Sequence, residues 1–225
     1  MIFKEIVKLD LIKNDVIAAI AKAKDQNFID NLRDRHINVQ FDSKLRGYIG
    51  EIALKKWFLE NDIKITTTNY FEEDIGIDVD FEYKGLDLEL KTSLIPDADK
   101  TLENVFNKRD IKLIRRTRKI EDLKSDIHIQ IFFEQRTNKK DEWLQEQEID
   151  INSNDFEYLY NAFFAKTYIT KTYLFGWIDK DTLAERINKL KGYEKSWRHA
   201  RRRFWVCKLK ECNPPKSLIK YLNEK

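Results

Sequence analysis

Residues 74–93 read "DIGIDVDFEYKGLDLELKTS", and their alternation decides how the rest of the chain is organised. Successive side chains of a strand point to opposite faces, so Ile77, Val79, Phe81 and Tyr83 share one side and Asp78, Asp80 and Glu82 the other. After Lys84–Gly85, a dipeptide suited to a tight turn, Leu86, Leu88 and Leu90 alternate with Asp87, Glu89 and Lys91. The two runs predict a β-hairpin with one apolar and one charged face. Across the charged face, Asp78 or Asp80 comes near Glu89 and Lys91. Gathered carboxylates repel, a conflict relieved by a cation between them or by protonation of one of them. Mg2+ takes oxygen ligands, commonly one or two carboxylates with waters and phosphate. A lysine beside it orients a water or stabilises charge building on a phosphate.

Upstream, "SKLRGYIGEIALKKWFLEN" (43–61) carries Leu45, Ile49, Ile52, Ala53 and Trp57 at helical spacing, with Asp42 or Ser43 as the expected cap and Glu51 off the centre of the apolar face. "VIAAIAKAKD" (16–25) and "NFIDNLRDRH" (27–36) predict a helical N-terminal layer over residues 1–41. "KITTTNYF" (64–71) reads as a strand before the hairpin. "DIHIQIFFE" (126–134), "TYLFGWI" (172–178) and "FWVCKL" (204–209) read as buried strands, with helices expected over 100–125, 154–166 and 181–191. This order predicts an α/β (α+β) fold, a central mixed sheet flanked by helices, in one domain spanning 1–225. No repeat or linker divides it.

The 225 residues are 42% hydrophobic and 36% charged, the make-up of a globular chain with an ionic surface. No apolar run is long enough to span a membrane, and "MIFKEIVKLDLIKND" lacks the pattern of a secretory signal, so the expected location is the cytoplasm, away from membranes. Cys207 and Cys212 are expected to be reduced, and His36, His128 and His199 stand too far apart for a zinc motif. His128 and His199 read as ordinary polar residues. The net charge of +3 says little, but its distribution says more. "KRDIKLIRRTRK" (108–119) has seven basic residues of twelve, and "RHARRR" (198–203) has four arginines. By contrast, "DEWLQEQEIDINSNDFE" (141–157) has seven acids and no base. Arg115, Arg116, Arg201, Arg202 and Arg203 are therefore candidate phosphate contacts, against the alternative that such runs are solvated surface.

Asp78, Glu89 and Lys91, in a D…E-L-K arrangement after a helix bearing "GYIGE", resemble the PD-(D/E)XK nuclease superfamily, the restriction-endonuclease-like fold. The resemblance covers residues 42–134, the expected catalytic core. It implies a helix followed by a meander of strands, with Asp78 on the second and Glu89 and Lys91 on the third. It also implies that Asp78, Glu89 and the helix residue Glu51 bind Mg2+, with Mn2+ able to substitute, while Lys91 assists the nucleophile. Ile77 stands where the family name has proline, and Asp80 competes with Asp78 for the first acid's role. The implied activity is Mg2+-dependent DNA cleavage by a type II-like restriction endonuclease acting as a homodimer. A branched-DNA resolvase, a repair nuclease, a non-catalytic nucleic-acid-binding module and a protein-interaction domain are the rival readings. Four of the six glycines, Gly47, Gly50, Gly76 and Gly85, fall in this core, and the two on the helix suggest close packing or space beside Glu51.

Overall fold

The computed structural model describes residues 1–25, 35–68, 79–99, 101–114, 119–189, 194–197 and 202–225. In chain order the elements are β1 (Val7–Asp10), α1 (Lys13–Asp25), α2 (Ile37–Glu60), β2 (Thr66–Thr67), β3 (Phe81–Tyr83), β4 (Leu86–Leu94), α3 (Leu102–Lys108), β5 (Asp110–Ile114), β6 (Ile127–Gln135), α4 (Lys140–Gln145), α5 (Phe156–Tyr160), β7 (Tyr168–Asp179), α6 (Lys180–Lys189), β8 (Glu194–Trp197), β9 (Arg202–Lys208) and α7 (Pro215–Asn223). Six strands form one mixed sheet in the order β1-β7-β6-β4-β3-β2. The β4–β6 pair is parallel, with α3 in the crossover, and the other pairs are antiparallel.

The hairpin is where the alternation predicts it. Phe81 pairs with Leu88 and Tyr83 with Leu86. Lys84 and Gly85 both have positive φ, 49° and 80°, the backbone that a two-residue hairpin turn demands. One face of the sheet buries Phe81, Leu88, Leu90, Ile127, Ile129 and Ile131 beneath α1, α2 and α7. The other buries Phe132, Phe175 and Ile178 against α3, α6 and a second sheet, ordered β5-β9-β8.

That second sheet corrects the expectation of helix over 100–125. Among the described residues of that span, Leu102–Lys108 is α-helical and Ile120–Asp122 a short 3-10 helix, while Asp110–Ile114 is a strand on β9. Ile111 and Leu113 are buried with Lys112 between them, so the apolar period is two. The N-terminal layer likewise is not purely helical, because Val7–Asp10 pairs with β7. "NFIDNLRDRH" lies mostly outside the described residues. Helix α2 begins earlier than expected: His36 caps it, its side chain accepting from the Asn38 N–H at 3.3 Å. Asp42, read as a cap, lies inside the helix, wholly buried, and holds Lys140 of α4 and Arg46.

Helix α2 presses its Gly50 onto β4. A Cβ there would meet the Thr92 methyl at 2.5 Å and a Leu90 methyl at 3.3 Å, whereas one at Gly47 would meet nothing within 4 Å. Gly47→Ala is therefore expected to stabilise the protein by about 0.5–1 kcal/mol through helix propensity. Gly50→Ala is expected to destabilise it by about 1–3 kcal/mol, because β-branched Thr92 has little rotamer freedom with which to yield. Thr92→Ser removes that methyl and should recover part of the loss in the double variant; urea unfolding midpoints of the four proteins check both expectations.

Candidate active site

Strand β4 pairs with β3 over three residues only, Leu86 to Leu88, but with β6 over seven, Leu88 to Leu94. Beyond Phe81 the β3–β4 ladder therefore opens into a fork. Asp80 sits at its apex: its N–H donates to the Leu88 carbonyl at 2.9 Å, and its Oδ2 accepts the Leu90 N–H at 2.5 Å. The carboxylate thus stands where the next backbone acceptor of a continuous ladder would be. Thr68 anchors this turn of chain, its N–H on the Asp80 carbonyl at 3.1 Å and its hydroxyl on the Val79 carbonyl at 2.6 Å.

Glu89 and Lys91, two residues apart on β4, share a face and form an ion pair through Glu89 Oε1. The other oxygen, Oε2, lies 2.8 Å from Nδ1 of His128, the residue that pairs with Glu89 across β4 and β6. Glu89 and His128 are both buried. Burial alone would raise the Glu89 carboxyl, but Lys91 and His128 outweigh it and hold the group below the usual carboxylate range.

Glu51 reaches the fork from α2 and is also buried. Burial pushes its carboxyl up to about 7; Lys22 opposes the rise and Asp80 adds to it. Lys22, on α1, donates to Glu51 Oε2 at 2.6 Å and lies 4.5 Å from the centre of the Tyr48 ring. The Tyr48 phenol is pushed upward by burial and by both carboxylates, Glu51 and Asp80. The fork therefore concentrates negative charge in a poorly solvated place, countered by lysines from either side.

Of the expected site residues, Glu51, Glu89 and Lys91 stand at or beside this fork, joined by Asp80. Asp78, Arg115, Arg116 and Arg201 lie outside the described residues. Arg202 belongs to β9, its side chain outside the described part, and Arg203 is exposed on the same strand. Sequence reasoning missed three participants. His128 reads as an ordinary polar residue, and its signal is one of two polar positions, with Gln130, in the otherwise apolar start of β6. Lys22 comes from the helical N-terminal layer, and Tyr48 lies on the same helix as Glu51; neither belongs to a sequence motif that marks it as part of a site. Trp205, in contrast, is buried in the second core as expected, and Cys207 and Cys212 are free, buried thiols.

Among the described residues, no three His, Cys, Asp or Glu side chains are gathered closely enough to enclose a metal ion by themselves. An oxygen-seeking ion such as Mg2+ does not require that, since water and substrate phosphate complete its shell. Buried oxygens of Glu51, Asp80 and Glu89 are of the hard type it prefers, and Glu51 and Asp80 disfavour each other's charge. No family model matches this chain, and no curated protein or solved structure matches it.

The raised Glu51 carboxyl gives a signed pH prediction. A carboxyl whose folded pKa lies above its unfolded one binds the proton more tightly when folded. Its contribution is therefore full below about 4.5 and is lost as pH rises through about 7. At about pH 8, ionised Glu51 then costs stability on the order of 2–3 kcal/mol, which Glu51→Gln removes. With a chelator present, the variant is expected to melt above the wild type at about pH 8 and with it near pH 4.5, as followed by circular dichroism.

Proposed function

We propose that the chain is a metal-dependent DNA endonuclease of restriction-endonuclease-like fold, acting at the β3–β4 fork and resembling a type II restriction enzyme that works as a homodimer. The observation that carries this reading is the placing of buried Asp80, coupled to Glu51 of α2, at the opening of the β3–β4 ladder, where its carboxylate is bonded to β4 between Glu89 and Lys91, themselves an ion pair. Three further features support it: α2 precedes the β2-β3-β4 meander, Glu89 and Lys91 lie on the third strand of that meander, and β6 follows parallel to β4 after a helix. Among the described residues no helix is long and apolar enough to cross a membrane.

In this reading Glu89, Asp80 and Glu51 are the oxygen donors that hold a Mg2+ or Mn2+ ion, and Asp78 lies two residues before Asp80 on the same strand pattern. Such an ion, when bound, lowers the pKa of water and neutralises charge on the phosphate. Lys91 presents its ammonium beside the Glu89 oxygens. There it orients the attacking water and stabilises the negative charge that builds on the phosphate as the bond to the leaving oxygen breaks. Asp80, tied to the Leu90 N–H, has its carboxylate fixed before substrate arrives, which limits the reorganisation the reaction requires. Arg203 and the basic segments around 108–119 and 198–203 supply phosphate contacts along the duplex, so binding should weaken steeply with salt.

The test is incubation of the purified protein with supercoiled plasmid and with branched duplex DNA in Mg2+, Mn2+ or chelator. The expected result is metal-dependent cleavage, as discrete fragments if recognition is sequence-specific. Intact DNA of both kinds in both metals would overturn the proposal.

A further inference from the structure

Glu89 is held at both oxygens, and the holder of the second is a histidine with no other side-chain hydrogen bond among the described residues. His128 is fully buried; its Nδ1 lies 2.8 Å from Glu89 Oε2, and its Nε2 is buried with no hydrogen-bond partner among the described residues. Buried polar atoms are ordinarily satisfied, and an orphaned ring nitrogen is costly. An imidazole kept only for packing would be better replaced by an apolar side chain of similar size: His128 is fully buried, and of the residues that follow on its face of β6, Gln130 is held by hydrogen bonds and Phe132 is apolar. What the ring gains in return is its single contact with Glu89. A carboxylate only accepts, so Nδ1 carries the proton in that contact, and the neutral ring suffices for it. The parallel register places His128 beside Glu89 rather than beside Lys91, whose own partner across the pair is Gln130. Gln130 donates to the Lys91 carbonyl at 3.0 Å, tying the adjacent backbone of β4 to β6 as well.

We propose that His128 is a positioning residue: by holding Oε2 of Glu89 through Nδ1, it turns Oε1 toward Lys91 and fixes the carboxylate in its working orientation at the fork. The inference rests on the reading of the fork as a metal-dependent phosphodiesterase site. Second contacts of this kind, behind a residue that holds an ion, typically change metal affinity or activity by 10- to 100-fold when removed.

Three variants separate this role from a structural one. Asparagine places an amide N–H close to the position of Nδ1, glutamine carries the same amide one carbon further out, and leucine fills the space without a donor. The measurements are kcat and KM on a cleaved DNA substrate, Mn2+ affinity by electron paramagnetic resonance, and the melting temperature. The expected result for His128→Leu is a fall of about 10- to 100-fold in kcat and Mn2+ affinity with KM for DNA unchanged. His128→Asn should stay within a few-fold of wild type while His128→Gln behaves like the leucine variant. If His128→Leu does not fold, the Asn and Gln pair, equal in polarity, carries the same comparison. Wild-type protein that cleaves DNA, with variants that differ only in melting temperature, would overturn the positioning role and leave the nuclease reading standing. Wild-type protein that cleaves no DNA in either metal would overturn both.

Discussion

Glu89→Gln is expected to lower metal-dependent DNA cleavage by about 10^3-fold or more, while the protein remains folded and still binds DNA. The substitution keeps the shape of the side chain and removes the charge that engages both Lys91 and His128. An amide offers one poor oxygen donor where the carboxylate offers two, so the ion is bound weakly. Lys91 loses the counter-charge that holds it beside the fork. Losing a preorganised electrostatic group in a site shielded from water costs about 10^2- to 10^3-fold in kcat, and weakened metal binding adds to this. Cleavage rates at saturating Mn2+ separate the two contributions, since only the second is recovered by added metal.

Asp42→Ala is expected to be the most damaging substitution for stability, at about 3–5 kcal/mol, although Asp42 is remote from the proposed chemistry. Asp42 and Lys140 are an ion pair with essentially no solvent exposure, and Asp42 also accepts from Arg46 at 3.2 Å. Burial pushes the Lys140 amine down to about 7, and Asp42 is the group that opposes this. Because the folded pKa lies below the unfolded one, the unfolded chain binds more protons between about 7 and 10.5, and stability rises with pH across that window. Without Asp42 the amine falls further, so the window should widen toward acid. Urea unfolding is therefore expected to show a larger loss near about pH 6 than near about pH 10. A variant whose loss is small and independent of pH would show that Lys140 does not depend on Asp42.

The parts of this structure that were legible in the sequence are those fixed by local pattern. Alternation from Val79 to Lys91, broken by Lys84–Gly85, places the hairpin in its register, because a slip of one residue would turn Leu88 and Leu90 to the charged face. Helix α2 was legible from its apolar spacing, but its start was not. Ile37, Val39 and Phe41 extend the helix upstream, so Asp42 became a buried counter-ion rather than a cap. The strand over Asp110–Ile114 was hidden by its charge: seven bases in twelve residues read as a solvated helix, while Ile111 and Leu113 carried the period that mattered. In the site, Glu51, Glu89 and Lys91 were legible because their types and spacing carry a chemical meaning. His128 and Lys22 were not, since each reaches the fork through pairing or packing between segments far apart in the chain, which local pattern does not encode. Asp80 was legible as a rival to Asp78; its bond to the Leu90 N–H required the geometry of the opened ladder.

The central claim, that the fork hydrolyses phosphodiesters with Lys91 in the reaction, is tested most directly by timing Mn2+-dependent cleavage of one DNA substrate by the wild type and by Lys91→Ala. DNA affinity is measured for both proteins in parallel. The account predicts cleavage by the wild type, a loss of about 10^2-fold or more in the variant, and affinities that agree within a few-fold. Equal cleavage by the two proteins would contradict it.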